Sequence, residues 1–270
     1  MEIGTIAPAV LAVSLTALPT SLRQPPLLVY YRRGGISGLI ENLIVYSDST
    51  GIYRRDGEEI RGRVDGDTVS ALEMILNLVS KRGFSEVSPR LGAVDFLHHE
   101  VIYPRRGERF AWVDEWASEV ELPSEIRALT KLLDHIISIV RGVEWVNWEE
   151  SSTAYLRMRA SLDGLVVRDG ATLLLKVSIA CLGEVEISYT LPTPDSPDVK
   201  VGSDARILVN FLKVEGRVID GGRRKLIPRR KLEIEASVKL NDVGKGLYWL
   251  SVHFPPRTPS IEVSLPLVVV

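Results

Sequence analysis

Apolar side chains recur at helical spacing in two stretches of this chain, and nowhere after them. Leu72, Ile75, Leu76 and Val79 make the first stripe, and Ile126, Leu129, Leu133, Ile136 and Val140 the second. Each stripe runs along one side of a helix and must be buried. Strand-like runs stand before the first helix and between the two, so both helices need a sheet to lie on. The order strands, helix, hairpin, helix predicts an α+β domain over residues 27–142, an antiparallel sheet with two helices laid on it. Past Val143 only strand patterns remain.

Local signals place the elements of the first half. Leu27 to Tyr31 and Leu39 to Tyr46 read as strands. A polar turn from Ser47 to Gly51 leads to a short strand, Ile52 to Arg54, and Asp56-Gly57 marks a hairpin returning from Ile60. Asp67 is the expected N-cap of the first helix, and Gly83 its left-handed terminator with Phe84 folding back. Ala93 to Tyr103 and Arg109 to Val113 form a second hairpin, whose alternation puts His99 and Val101 on one face and His98 and Glu100 on the other. Pro123 starts the second helix and Gly142 ends it.

Between the first two strands, Arg33-Gly34-Gly35-Ile36-Ser37-Gly38 holds three glycines in five residues. Such a cluster either shapes a tight hairpin or lets another backbone approach closely. Four further motifs follow it in order. They are Tyr46-Ser47-Asp48, the leucine helix closed by Phe84, Gly92-Ala93-Val94-Asp95-Phe96 opening a hairpin, and Asp114-Glu115 followed by Leu122-Pro123 and Ile126. In this arrangement residues 28–141 resemble the emfourin family, small protein inhibitors of protealysin, a thermolysin-type zinc peptidase. The family most often has Phe-Ala where this chain has Ile36-Ser37, and it is usually a single free-standing domain. The resemblance implies a protein-binding inhibitor of a thermolysin-like zinc peptidase, with no catalytic group, metal or cofactor of its own. The Arg33 to Gly38 loop would supply part of the contact surface, with Ile36 as its apolar anchor. A non-catalytic interaction or surface module with another partner is the alternative.

Residues 143–152 read as a hinge, and their two tryptophans, Trp145 and Trp148, as an interface seal. Strands are then expected at Tyr155–Ala160, Ala171–Ala180, Glu184–Leu191, Arg206–Val214, Lys231–Leu240, Leu247–Phe254 and Ile261–Val270. Turn signals at Asp169-Gly170, Asp220-Gly221-Gly222 and Asn241-Asp242 separate them. Short strands at this spacing predict an all-β sandwich over residues 153–270.

Residues 1–26 form an N-terminal extension. Its apolar run, Ile3 to Leu18, has the length of a signal h-region or, at Val10 to Leu15, of a buried strand. It is too short to span a bilayer, and no Lys or Arg precedes it, which favours a cytoplasmic location. The net charge of −2 creates no global field for nucleic acid or anionic lipid. One cysteine, Cys181, excludes an internal disulfide framework and reads as a buried thiol. A single glutamine with abundant Arg and Glu is the composition of a thermophile.

The search for chemistry yields little. His98 and His99 are strand neighbours pointing to opposite faces, so they cannot share a metal ion. His135 and His253 are isolated and read as structural. Asp65-Gly66-Asp67 opens like a calcium loop, but Val69 and Leu76 supply no oxygen ligands. Nucleophile elbows and phosphate loops are absent. Asp114, Glu115, Glu119 and Glu121 read as a solvated acidic face before a helix N-terminus. The basic run Arg223 to Lys231, which includes Arg224, Arg229 and Arg230, lacks interleaved aromatics. It reads as an exposed hairpin tip rather than a nucleic-acid patch. The sequence leaves the oligomeric state open.

Overall fold

The computed structural model describes residues 25–182, 187–189, 199–201, 208–213, 224–226, 231–240, 243–254 and 261–270. The apolar run at Val10 to Leu15, the turns at Asp220-Gly221-Gly222 and Asn241-Asp242, and Arg223, Arg229 and Arg230 lie outside them.

In the first half the elements are β1 (Leu28–Gly34), β2 (Leu39–Val45), β3 (Thr50–Arg55), β4 (Glu58–Arg63), α1 (Gly66–Arg82), β5 (Leu97–Tyr103), β6 (Glu108–Val113) and α2 (Ser124–Arg141). The six strands form one antiparallel sheet in the order β4-β3-β2-β1-β5-β6. Asp56 and Gly57 both take positive φ at the β3–β4 turn, as a two-residue hairpin requires. Tyr30, Leu43, Tyr53, Val101, Phe110 and Trp112 point from the sheet into one core with α1 and α2. Where α2 crosses β4, a Cβ on Gly62 would come within 2.8 Å of Val140 backbone, so glycine sets how closely helix and sheet approach.

The helix ends follow capping chemistry, with one correction. Asp65, not Asp67, caps α1: its carboxylate accepts from the Thr68 N–H at 2.8 Å and from the Thr68 hydroxyl at 2.7 Å. Asp67 already has helical neighbours on both sides and turns outward to Arg168 instead. Gly83 and Gly142 terminate α1 and α2 in the left-handed region, with Phe84 N–H reaching back to the Val79 carbonyl.

The second half is strands alone among the described residues. They are β7 (Asn147–Ser152), β8 (Leu156–Leu162), β9 (Val166–Val167), β10 (Thr172–Cys181), β11 (Ile187–Tyr189), β12 (Val199–Val201), β13 (Leu208–Lys213), β14 (Arg224–Leu226), β15 (Lys231–Lys239), β16 (Gly246–Phe254) and β17 (Ile261–Val269). A five-stranded sheet runs β13-β15-β10-β8-β7, a four-stranded sheet β12-β16-β17-β9, and β11 pairs with β14. Most of the stretch expected as a hinge is therefore strand β7, hydrogen-bonded along β8. The larger sheets share a second core, with Met158, Leu175 and Ile179 from one side and Leu250, Val263, Leu265 and Leu267 from the other.

The four-stranded sheet is covered on its other face too. Val268 and Leu165 belong to the first core, with Leu247, Trp249 and Val270 packed against it. The α2 helix thus meets the six-stranded sheet on one side and β17 on the other. This double burial widens its apolar stripe beyond the expected positions to include Leu132 and Ile137. Trp145 packs on the first core beside the His135 ring, and Trp148 is held between Lys131 of α2 and Arg159 of β8. The chain is thus mainly antiparallel β-sheet with two helices, and among the described residues no helix is long and apolar enough to cross a membrane.

Candidate functional site

The glycine-rich segment connects β1 to β2, and its shape is set by the segment before β5. Gly34 runs so close to that segment that a Cβ would stand 2.5 Å from the Phe96 carbonyl oxygen, and its φ of +121° suits glycine alone. The Gly35 N–H donates to the same carbonyl at 3.1 Å, and the Gly38 N–H closes the turn on the Gly35 carbonyl at 3.0 Å. The Ile36 N–H donates to the Asp95 carboxylate. These bonds clip the tip to Asp95-Phe96 and fix the direction of its side chains.

The six residues singled out in the sequence divide by role. Gly34 and Gly35 are spent on the clip, whereas Arg33, Ile36, Ser37 and Gly38 face solvent. Ile36 is 91% exposed, so its side chain does not pack into the sheet. Antiparallel pairing brings the β1–β2 tip, the start of β5 and the end of β6 to one end of the sheet. That end also exposes Ile40, Leu91, Val94 and Trp116, residues that sequence reasoning did not single out. The motif Gly92 to Phe96 gave a partial signal for them, since Val94 and Asp95 sit inside it. A shallow depression between Arg33, Gly38, Ile40, Phe96 and His98 adjoins the tip.

The histidines separate as alternation requires. His98 lies on the open face of the sheet, and burial, then the Arg33 guanidinium, push its pKa below the ordinary value. His99 is 2% exposed on the helix side. The Tyr30 hydroxyl lies 2.7 Å from His99 Nδ1, and the Asp114 carboxylate 3.1 Å from Nε2. The Tyr30 hydroxyl donating to Nδ1 and Nε2–H donating to Asp114 satisfies all three groups. Burial drives the Tyr30 hydroxyl pKa upward, so it stays protonated. Asp114 is thus not part of a solvated acidic face. Besides His99 it takes the first amide of β5, Leu97 N–H, at 2.8 Å. Burial raises its pKa, but these hydrogen bonds outweigh burial and leave it below the ordinary carboxylate value. Tyr30, His99 and Asp114 form a closed relay whose hydroxyl end is buried in the core, which suits it to hold β1, β5 and β6 together.

Among the described residues, no three His, Cys, Asp or Glu side chains converge in a way that could hold a metal ion. Asp65, the first residue of the calcium-like stretch, serves as the α1 cap. In the basic run, Arg224–Leu226 forms β14 against β11, and Lys231 pairs with Glu233 at 2.6 Å. No protein-family model matches the chain, and no curated protein matches it.

Proposed function

We propose that this protein is a binding inhibitor of a thermolysin-type zinc metallopeptidase, with the Arg33 to Gly38 tip entering the partner's cleft. The observation that carries the reading is Ile36, an aliphatic side chain 91% exposed on a hairpin tip that Asp95 and Phe96 hold in place. An exposed apolar residue gains by burial in a partner, and a tip ordered in advance loses little entropy on binding. The inhibitor needs no metal, because the peptidase holds the zinc. The emfourin-like segment, residues 27–142, is the binding domain on this reading, and residues 153–270 are a sandwich domain that braces it.

Ile36→Asp tests the proposal, with residual peptidase activity and thermal melting measured on one protein. The expected result is at least a tenfold weaker inhibition with a melting temperature nearly unmoved, since the side chain packs against nothing in the free protein. Unchanged inhibition removes the tip from the interface. Failure of the unaltered protein to inhibit any thermolysin-like enzyme overturns the inhibitor reading. The surviving reading is then a non-catalytic interaction module with another partner. Its support is the number of further apolar side chains left exposed, Ile40, Leu91, Val94 and Trp116.

A further inference from the structure

The six-stranded sheet ends in β6 on one side and β4 on the other, and the two edges differ. The chain seals the first itself. Ala111 N–H donates to the Ser85 carbonyl at 2.8 Å, and Val87 N–H donates to the Ala111 carbonyl at 3.0 Å. No described residue does the same for β4. The two-residue turn at Asp56-Gly57 makes Arg55 and Glu58 a hydrogen-bonded pair, so Glu58, Ile60 and Gly62 spend their backbone groups on β3. Val64 N–H, donating to the Ser49 carbonyl at 2.8 Å, continues that alternation. Glu59, Arg61 and Arg63 therefore turn their N–H and C=O groups outward. All three are exposed, and among the described residues no hydrogen bond reaches those groups.

An open edge is a place where a further strand can add, and its charge selects the strand. An edge of one sign repels a copy of itself. β4 is instead divided, with Glu58 and Glu59 at its start and Arg61 and Arg63 towards its end. Laid antiparallel against a second β4, the acidic end meets the basic end. Such a seam must set outward-facing groups against outward-facing groups, which leaves few registers. In one of them Glu59 lies opposite Arg61 of the second copy, and Arg61 opposite its Glu59. Ile60 and Gly62 face the helices, so both charge pairs lie on the open face, with Ile60 meeting Ile60 on the helix side. The next register sets Arg61 against Arg61, which like charge disfavours. Glu59 already takes Arg54 of β3 at 2.7 Å and Arg61 of its own strand at 2.8 Å. The seam thus extends a row of alternating charge.

We propose that two copies of this chain associate through β4, antiparallel and in that register, to form one continuous sheet. The twofold axis reverses the second copy, so the two Arg33 to Gly38 tips lie at opposite ends of the joint sheet and both stay free. The proposal does not depend on what the tip binds. One strand seam buries little area, so the dimer is weak, with dissociation in the micromolar range.

Sedimentation velocity on the full chain, up to about 300 μM, is the test, and a monomer–dimer equilibrium is the expected result. Arg61→Pro removes only an outward N–H, which an edge strand tolerates, and should abolish the dimer. Glu59→Arg sets like charges across the seam and should weaken association about tenfold. Adding Arg61→Glu to it restores opposite charges and should bring the dimer back. Thermal melting of each variant separates loss of pairing from loss of fold, and if Arg61→Pro does not fold, the charge exchange decides. A chain that stays monomeric at the highest concentration overturns the proposal. So does a dimer whose strength neither Arg61→Pro nor Glu59→Arg alters, because its seam then lies elsewhere.

Discussion

Glu41 is 3% exposed on the helix side of β2, and donors from its two neighbouring strands, β1 and β3, keep it ionised. Its carboxylate accepts from the Tyr53 hydroxyl at 2.6 Å, Arg32 Nε at 2.8 Å and Arg55 at 3.2 Å, and Arg32 goes on to Asp134 of α2 at 2.7 Å. Burial alone raises the Glu41 pKa, but the Tyr53 and Arg32 hydrogen bonds and charges outweigh it and hold the carboxyl below its ordinary 4.5. A carboxyl depressed on folding stabilises the protein fully above its unfolded pKa, and that contribution is lost as pH falls through the folded value. Glu41→Gln should therefore cost about 3 kcal/mol at neutral pH, because Arg32 is left half-buried with one partner fewer. In urea titrations the gap between the two proteins should narrow as pH drops below 4.5, the ordinary value for this group. A gap independent of pH would mean that shape, not charge, holds this site. At the tip, Gly34→Ala meets the Phe96 carbonyl, whereas a Cβ on Gly38 meets nothing within 4 Å. The first change should cost about 2 kcal/mol and the second about 1 kcal/mol, both measured by thermal melting.

Elements were legible where a local pattern specifies them. Both helices and the β3–β4 turn follow from apolar spacing and from Asp56-Gly57, since those signals act within a few residues. The α1 cap was not, because Asp65 and Asp67 both suit it by type and only the backbone entering the helix decides. Asp65→Ala should destabilise by about 1 kcal/mol, and Asp67→Ala by clearly less, in parallel melts of the two variants. Strand β7 was hidden for a different reason. Only Asn147 in it is buried, so no apolar alternation marks the segment, and pairing with β8 makes it a strand. Strand β9 has two residues, and its parallel partner β17 is distant in sequence. The candidate site shows the same divide. The glycine tip announces itself, but the Ile36–Asp95 clip joins positions 59 residues apart, and no local pattern encodes it. Asp114 likewise looked like surface acid because the histidine and amide it serves come from β5.

For the whole molecule, the decisive feature is the sheet that β16 and β17 share. The run from Val263 to Val270 is nearly unbroken apolar sequence, as befits a strand buried on both faces. One face closes the second core through Leu265 and Leu267, and the other offers Val268 to the first. The sequence pattern predicts halves that are separate in composition, yet their surfaces interlock. What independence remains can be measured. Among the described residues, the first core draws its buried side chains almost wholly from positions before Gly142, with Leu165 and Val268 the two from beyond it. A chain ending at Gly142 should therefore still unfold cooperatively, because the six-stranded sheet and both helices keep their mutual contacts. It should do so with about 3 kcal/mol less stability than the same residues have in the full chain. Losing Leu165 and Val268, with Trp145, Leu247, Trp249 and Val270 packed against the same core, uncovers apolar area on the first core worth about 3 kcal/mol or more. The expected signature is a single urea transition at lower midpoint, with binding of an apolar dye to the uncovered helix face. A truncated chain that shows no cooperative transition would make the sheet of β16 and β17 part of one indivisible fold, and the division near residues 143–152 would then be one of sequence pattern only.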